Sequence, residues 1–195
     1  MIIQFCGLSG AGKTTLANAT EKKLKEHSLP IEIIDGDEYR ETICRSLGFS
    51  KADRLENMRR LSFVAGKLSK YGIICLICAI NPYEEMRSEV KKNYPNVKTI
   101  HVDCSVDTLT QRDTKGLYRK AFLPDNHPEK LKNLSGINDP FDIPAQPDLY
   151  INTDRQTINE CTNTISDFIL QHIFLTRIIQ LEFTGGKYHQ KISYR

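Results

Sequence analysis

The stretch Gly7-Leu8-Ser9-Gly10-Ala11-Gly12-Lys13-Thr14-Thr15 decides the fold, because it lies between an apolar run and an amphipathic segment. It matches the pattern G-x-x-x-x-G-K-[ST], in which glycines let backbone N–H groups point at phosphate oxygens and a helix dipole adds positive charge. We therefore predict that residues 7–15 form an ATP-binding loop in which Lys13 reaches the β- and γ-phosphates. The pattern also makes the Thr14 hydroxyl a ligand of Mg²⁺ and Thr15 a further phosphate contact.

A second group of polar residues, Asp35-Gly36-Asp37-Glu38-Tyr39-Arg40, follows the next apolar run of the chain. Phosphoryl transfer needs a group that orients or deprotonates the attacking hydroxyl, and a further oxygen ligand near the metal. We assign both roles to Asp35, because the third apolar run ends in Cys78-Ala79-Ile80-Asn81 and carries no acid there. Asp37 either contacts the substrate or only caps the following helix.

Five short apolar runs alternate with longer amphipathic stretches, which indicates a parallel β-sheet buried on both faces. The predicted strands are Met1 to Gly7, Ile31 to Asp35, Gly72 to Ile80, Val97 to Asp103 and Leu149 to Asn152. The predicted helices are Lys13 to His27, Tyr39 to Leu47, Lys51 to Lys70, Tyr83 to Tyr94, Val106 to Asp113 and about Gln156 to Gln171. The alternation predicts a three-layer α/β/α fold of the P-loop kinase type, with a mainly parallel five-stranded sheet and ligands outside the carboxyl ends of its strands.

The length of 195 residues favours a single domain, which we place at residues 1–175. Within it, residues 115–147 have no clean periodicity and carry several Pro, Asn and Asp residues, which is typical of a lid or binding loop. Residues 176–195 are predicted to be a C-terminal extension. In it, Arg177 to Phe183 and Tyr188 to Tyr194 flank two glycines, so the extension is either a β-hairpin or a tail that contacts a partner.

The charged residues are spread along the chain. They make up 26% of it and the net charge is +3, without the basic block that nucleic-acid or membrane-surface binding would need. The N-terminal apolar run is too short for a signal peptide, and no apolar run approaches the length of about 20 residues that spans a bilayer. We therefore expect a cytoplasmic protein that binds neither nucleic acid nor membrane.

Six cysteines occur in the chain, and four of them lie in or beside apolar strand-like runs. Cys75 and Cys78 have the spacing of half a zinc site, but no second Cys or His pair stands at a suitable distance. Two residues at this odd offset in an extended strand also face opposite sides of a sheet. We therefore favour buried free thiols over a metal site.

Blocks downstream of the phosphate-binding loop resemble the motifs of adenylylsulfate (APS) kinases, which use ATP to phosphorylate the ribose 3′-hydroxyl of APS. The family pattern D-G-D-N-x-R is matched at Asp35, Gly36, Asp37 and Arg40. The pattern G-F-S-x-x-D-R-x-E-N-x-R-R is matched at Gly48, Phe49, Ser50, Asp53, Arg54, Glu56, Asn57, Arg59 and Arg60. The runs from Lys115 to Ala121 and from Leu134 to Asp142 are similar to two further family motifs, so the resemblance covers residues 1 to 155.

The resemblance implies roles for individual side chains. Arg40, Arg54 and Asn57 would bind the phosphosulfate and ribose of the acceptor, and the fork of a guanidinium suits such anions. Phe49 would stack on the acceptor base, a contact worth about 1–3 kcal/mol. Lys115 would be a catalytic residue that steadies charge between donor and acceptor. The other positions implied are Arg112 beside the ATP adenine and, on the substrate side, Asp37, Ile80, Asn81, Gly116, Leu117 and Leu134.

Three positions depart from the family pattern. Asn81 stands where the family has a serine for which a transient phosphoserine has been proposed, so only direct in-line transfer is compatible with this chain. Ala79 replaces a phenylalanine of the same motif, and Leu134 replaces the lid phenylalanine that closes the far side of the acceptor base. A pocket with one aromatic and one aliphatic wall discriminates less strongly between bases.

The leading hypothesis is an APS kinase of sulfate assimilation that converts ATP and APS into ADP and 3′-phosphoadenylyl sulfate. Its catalytic residues would be Asp35, Lys13 and Lys115, and its cofactor would be Mg²⁺. The altered pocket leaves open a sister kinase for another nucleotide-linked acceptor, such as a cytidine diphosphate derivative of surface-polysaccharide modification. A third hypothesis is a nucleotide-binding subunit without catalysis, against which the intact motif residues argue. The resemblance also implies a homodimer and functional coupling to an ATP sulfurylase.

Overall fold

The computed structural model describes residues 1–189, with side chains described for residues 1–175. Its strands are β1 (Ile2–Cys6), β2 (Ile31–Asp35), β3 (Ile74–Cys78), β4 (Val97–Asp103) and β5 (Leu149–Asn152). They form one sheet in the order β2-β3-β1-β4-β5, and every neighbouring pair is parallel. The predicted five-stranded parallel sheet is confirmed, and β1 lies at its centre.

Helices cover both faces of the sheet. They are α1 (Lys13–Lys25), α2 (Gly36–Glu41), α3 (Lys51–Ser69), α4 (Glu84–Asn93), α5 (Val106–Arg112), α6 (Leu117–Ala121) and α7 (Ile158–His189). Alternate residues of β1 enter separate cores: Ile3 and Phe5 pack in the core that contains α1 and α7, and Ile2 packs in the core that contains α3 and α4. Because both faces are buried, the central strands β1 and β3 are apolar almost throughout, which explains the continuous apolar runs of the sequence there.

The second helix begins earlier than the sequence predicts. A helix was expected from Tyr39 to Leu47, but α2 spans Gly36–Glu41. The side chain of Asp35 accepts a hydrogen bond from the backbone N–H of Asp37 at 2.8 Å and so caps the helix at the end of β2. This cap starts the helix immediately after the strand and corrects the predicted boundary.

The backbone of the C-terminal helix disagrees with the β-hairpin, which was one of the two alternatives for residues 176–195. The last helix was predicted to end near Gln171, and Arg177 to Phe183 was predicted to form a strand, but the backbone of α7 is helical as far as His189. Local β-branched residues favour a strand, yet extending an existing helix is inexpensive because each added residue brings one backbone hydrogen bond. The remaining positions of the second predicted strand, residues 190–195, lie outside the described residues.

All six cysteines are buried free thiols, including Cys75 and Cys78, for which this state was predicted. Cys75 and Cys78 both lie in β3, but they belong to the cores on opposite faces of the sheet. Among the described residues, no group of three or more His, Cys, Asp or Glu side chains could hold a metal ion. Within the same part of the chain, none of the helices combines the length and apolar character that a membrane span requires.

The predicted lid contains one short helix, α6, and its later half packs against the phosphate-binding loop. Leu134 is buried in the core, and Gly136 lies directly against the side chain of Leu8. A Cβ atom at Gly136 would lie 2.4 Å from Leu8 Cδ2, and the residue has a φ of +83°. The lid is therefore attached to the phosphate-binding loop by a close apolar contact.

We expect Gly136→Ala to lower the free energy of unfolding more than Gly72→Ala does. Gly72 has a similar φ of +82° but open space around it, so its substitution carries only the backbone cost of about 1–2 kcal/mol. Gly136→Ala adds the displacement of Leu8. Urea unfolding of both variants, and of Gly136→Ala in a Leu8→Ala background, measures the difference. Equal losses for the two glycine variants would contradict the close contact.

Candidate active site

The phosphate-binding loop connects β1 to α1, as the sequence predicts. Lys13 is the first residue of α1, and its Nζ donates hydrogen bonds to the carbonyl oxygens of Gly7 (2.9 Å) and Leu8 (2.8 Å). Burial lowers the pKa of Lys13 to about 8, because a desolvated ammonium loses its hydration. The two carbonyls offer partial charges only, so a bound phosphate would supply the counter-charge that the lysine lacks.

Asp35 at the end of β2 meets Thr14 at the start of α1. The Thr14 hydroxyl donates a hydrogen bond of 2.6 Å to Asp35 Oδ2, and Asp35 Oδ1 accepts from the backbone N–H of Asp37 at 2.8 Å. One carboxylate oxygen therefore fixes the side chain, while the other faces the threonine of the phosphate-binding loop. The fold thus brings together the two residues that the sequence predicts as Mg²⁺ ligands.

The oxygens of Thr14 and Asp35 fit a Mg²⁺ ion. In phosphoryl-transfer sites Mg²⁺ takes one or two protein oxygens, and its remaining ligands are phosphate and water oxygens. The hydroxyl and carboxylate oxygens are 2.6 Å apart, close enough to be neighbouring ligands of one ion.

Phe49 and two arginines form the opposite wall of the site. The guanidinium carbons of Arg40 and Arg54 lie 4.5 Å and 5.6 Å from the centroid of the Phe49 ring. Arg40 Nη1 donates to the carbonyl oxygens of Leu47 (3.1 Å) and Gly48 (2.9 Å). The pKa of Arg40 is lowered, mainly because burial desolvates its guanidinium and to a smaller extent because Arg54 carries the same charge nearby. The Phe49 side chain is half exposed, so it is available for stacking.

Arg54 connects this wall to the lid. Its side chain is buried, with Nε donating to the Phe49 carbonyl oxygen (3.0 Å) and Nη2 to that of Asn133 (2.6 Å). The carboxylate of Asp139 lies 3.4 Å away. Arg40 and Arg54 thus stand close together, which favours an anionic ligand at this wall. Asn57 lies beside them on α3, and its buried Oδ1 has no hydrogen-bond partner in the protein.

One cavity of about 630 Å³ joins the phosphate-binding loop to this wall. The predicted site residues that line it are Ser9, Gly10, Ala11, Gly12, Lys13, Thr14, Thr15, Asp37, Arg40, Phe49, Arg54, Asn57, Ile80, Asn81, Arg112 and Lys115. The predicted site residues outside its lining are Gly7, Leu8, Asp35, Gly116, Leu117 and Leu134. Gly7 and Leu8 bind Lys13 through their carbonyl oxygens, and Asp35 contacts the lining residue Thr14.

Leu134 was predicted to close the acceptor pocket, but the structure places it in the core. It is 3% exposed and packs with the residues around α1 and α7, and its lid neighbours Leu131 and Ile137 pack against the same core. Leu117 also packs there, and Gly116 is the N-cap residue of α6. The motif identifies these positions in the chain, but which side of the lid backbone faces the core depends on the fold.

Lys115 extends from the beginning of the lid and forms an ion pair with Asp37. The lid is held there by Tyr118, whose hydroxyl donates a buried hydrogen bond of 2.7 Å to the carbonyl oxygen of Ser9. The carboxylate of Asp113 accepts from the backbone N–H of Tyr118 (3.0 Å). Asp37 therefore faces the cavity, and the cap of α2 that was its alternative role belongs to Asp35.

Several cavity residues after β5 were missed by sequence analysis. Arg112 Nη2 donates to the carbonyl oxygen of Thr153 at 2.8 Å, and the Thr153 hydroxyl donates to the Ala11 carbonyl oxygen at 3.2 Å. The missed lining residues after β5 are Thr153, Gln156, Thr157, Ile158 and Cys161, and Thr114, just before the lid, was missed as well. The usable signal was their position, because ligands of parallel sheets bind beyond the carboxyl ends of the strands.

A cavity that can hold a triphosphate beside a second anionic group suits phosphoryl transfer, and the loop at residues 7–15 makes this enzyme a P-loop kinase. The sequence profile of one kinase family, adenylylsulphate kinase, matches residues 1–152. The chain belongs to the adenylylsulphate kinase family.

Individual relatives agree with this assignment. The adenylyl-sulfate kinase of Deinococcus deserti is 42% identical over 86% of this chain and 90% of its own length. The adenylyl-sulfate kinase of Chloroflexus aurantiacus is 44% identical over 83% of this chain and 84% of its own length. The structure of the Mycobacterium tuberculosis APS kinase CysC in complex with AMPPNP and APS is similar, with a TM-score of 0.79 and 35% identity. The two structures superpose over 86% of this chain and 96% of the Mycobacterium tuberculosis chain.

Proposed function

We propose that this protein transfers the γ-phosphoryl group of ATP to the ribose 3′-hydroxyl of APS, giving ADP and 3′-phosphoadenylyl sulfate. The observation that carries the proposal is the single cavity in which the phosphate-binding loop faces Arg40, Phe49 and Arg54. A triphosphate at the loop would place its γ-phosphoryl group toward an acceptor held by a cationic and aromatic wall. APS offers both an anionic phosphosulfate and an aromatic base to that wall.

The transfer proceeds in line, because Asn81 has no hydroxyl that could accept the phosphoryl group. A bond forms between the ribose 3′-oxygen and the γ-phosphorus while the bond from that phosphorus to the β–γ bridging oxygen breaks. The proton of the 3′-hydroxyl passes to the carboxylate of Asp35, whose orientation the Asp37 N–H fixes. Lys13 and Lys115 stabilise the negative charge on the moving group. A bound Mg²⁺ would supply further charge neutralisation at the phosphates.

Acceptor recognition rests on residues from α2, α3 and the loop between them. The guanidinium groups of Arg40 and Arg54 bind the phosphosulfate, and the exposed Phe49 ring stacks on the base. The Lys115 ammonium exchanges its Asp37 partner for phosphate oxygens when both substrates are present. The site is complete in catalytic groups, which argues against a subunit without catalysis.

The experiment that tests the function measures ADP release in a coupled assay with APS and, in parallel, with cytidine diphosphate derivatives. We expect turnover with APS at micromolar concentration. Preferential turnover of a cytidine nucleotide would instead support the sister kinase, for which the substitutions Ala79 and Asn81 in the cavity wall are the reason to test. No turnover with any acceptor, in a protein that binds ATP, would support the non-catalytic subunit.

We expect ATP binding to take up a proton above about pH 8. The pKa of Lys13 is about 8 in the free protein, and phosphates beside its ammonium would raise it. ATP affinity should therefore fall as the pH rises from about 8 to about 9, since the free lysine is then neutral and must be protonated on binding. Calorimetry in buffers of different ionisation enthalpy measures the uptake, and its absence near pH 9 would contradict the assignment.

The assembly and location of the protein are also proposals. We propose a homodimer that works with an ATP sulfurylase, as the family resemblance implies, and light scattering of the purified protein would measure its mass. We place the protein in the cytoplasm, because six buried free thiols are compatible with a reducing compartment. A monomeric mass at micromolar concentration would contradict the dimer.

A further inference from the structure

Gln4 is a buried polar residue at the centre of an apolar sheet. It lies in the middle of β1, is 0% exposed, and pairs in register with Thr99 of β4. Its neighbours Ile2, Ile3 and Phe5 are all apolar core residues. A buried amide usually contributes less to stability than an apolar side chain of similar size, because it loses its hydration. Such a residue is therefore a candidate for a positioning role that an apolar side chain could not fill.

The hydrogen bonds of Gln4 leave its amide only one orientation. Its Nε2 donates to the Arg87 carbonyl oxygen (3.1 Å) and to Thr99 Oγ1 (3.0 Å). The Arg87 carbonyl oxygen can only accept, so the group that faces it must be the NH₂ of Gln4. The Gln4 Oε1 is consequently turned toward Asn81, whose Nδ2 donates to it at 3.1 Å. Gln4 thereby orients the Asn81 amide so that its Nδ2 faces the sheet and its Oδ1 points away from Gln4.

The other end of the Asn81 amide is left without a partner. Asn81 is 2% exposed and lines the cavity, and its carbonyl oxygen is already bound by Arg87 Nη1 at 2.7 Å. Its side-chain Oδ1 is buried and accepts no hydrogen bond from the protein. The residue also holds a φ of +47°, which asparagine tolerates better than most residues. An unsatisfied buried oxygen is unfavourable because it has lost its hydration, and a ligand donor would remove that penalty.

We propose that Asn81 Oδ1 accepts a hydrogen bond from the nucleotide acceptor, and that Gln4 is the positioning residue that orients it. The proposal rests on the proposed function, since it assigns a specificity contact to the acceptor side of that cavity. The donor on the nucleotide is an O–H or N–H group, either a ribose hydroxyl or an exocyclic amine. In this chain the Asn81 amide is held in place by Gln4 from inside the sheet. It thus recognises an O–H or N–H group of the nucleotide that receives the phosphoryl group.

The test is a double-mutant cycle on APS affinity and on KM, with Gln4→Met, Asn81→Gly and the double variant. Gly at position 81 keeps the positive φ available while it removes the amide. We expect about a tenfold increase in KM for APS in each single variant, no further increase in the double variant, and an unchanged KM for ATP. Thr99→Val is the matched control, because it removes one bond of Gln4 but keeps the Arg87 carbonyl oxygen that sets its orientation.

Substrate analogues test the same contact in the wild-type protein, even if the core variants fold poorly. 2′-Deoxyadenylyl sulfate lacks the ribose 2′-hydroxyl, and the inosine analogue of APS lacks the exocyclic amine. One of the two should bind about tenfold more weakly than APS, and the group that it lacks is the donor. Binding of both within twofold of APS would overturn the proposal, as would additive effects in the cycle or equal effects on ATP and APS. Such results alongside normal APS turnover would leave the proposed function intact. Absence of turnover with every acceptor would overturn both.

Discussion

Asp35→Asn is expected to lower kcat by about 10²–10⁴-fold while it leaves ATP affinity nearly unchanged. An asparagine at this position can still accept from the Asp37 N–H through Oδ1 and can donate to the Thr14 hydroxyl oxygen, so the loop keeps its geometry. What it loses is the negative charge that takes the proton of the attacking hydroxyl. Steady-state turnover with APS and calorimetric ATP binding give the two numbers.

Glu38→Gln is the matched control for this substitution. Glu38 lies in the short helix α2 that Asp35 caps, is exposed, and does not line the cavity, so its change should leave kcat within twofold of the wild type. If Asp35→Asn retains near wild-type kcat, the base must be another group, and Asp37 is the carboxylate that lines the cavity.

Lys13→Met should lower kcat/KM for ATP by about 10²–10³-fold without destabilising the free protein. Methionine keeps most of the volume of the lysine stem but removes the charge that neutralises the γ-phosphoryl group. Burial lowers the pKa of Lys13 to about 8, which means that the folded protein holds the charged form less favourably than the unfolded chain does. Removing the charge should therefore not reduce the unfolding free energy at neutral pH.

Thermal unfolding distinguishes this loss of activity from a loss of structure. Lys22→Met, on the exposed face of α1, is the control and should change neither activity nor the proton uptake on ATP binding. A large fall in Tm for Lys13→Met would show that the bonds to Gly7 and Leu8 stabilise the loop more than the buried charge destabilises it. Retained activity would remove Lys13 from the mechanism.

Sequence patterns predicted the sheet well because each strand carries apolar residues that pack into the two cores. Three strands, β2, β4 and β5, have the predicted bounds. The other two, β1 and β3, are one or two residues shorter at each end than predicted. The phosphate-binding loop was predicted in its correct place because glycine spacing and the flanking elements are local properties of the chain. The pairing of Thr14 with Asp35 followed, since parallel strands bring their carboxyl ends to the same edge.

The sequence predictions failed where the position of a residue depends on contacts with residues far away in the chain. Leu134 was predicted in the acceptor pocket, but the lid turns it into the core beside α1 and α7. The residues after β5 that line the cavity near Arg112 belong to no local motif. Of the two alternatives for the C-terminal extension, the β-hairpin does not fit the backbone, because a helix begun at Ile158 continues to His189 through residues whose local preference is for a strand.

The sequence by itself determined the phosphate-binding loop and the α/β class, and it singled out Arg40 and Arg54, which line the same cavity, because each of these depends on residues close together in the chain. Only the tertiary structure decided the protonation and partners of these groups. Lys13 has a lowered pKa because the fold buries it, and Asp37 pairs with Lys115 because the lid begins beside the cavity. The orientation of Asn81 is likewise set by Gln4, 77 residues away, through a hydrogen bond that forms only when the sheet closes around it.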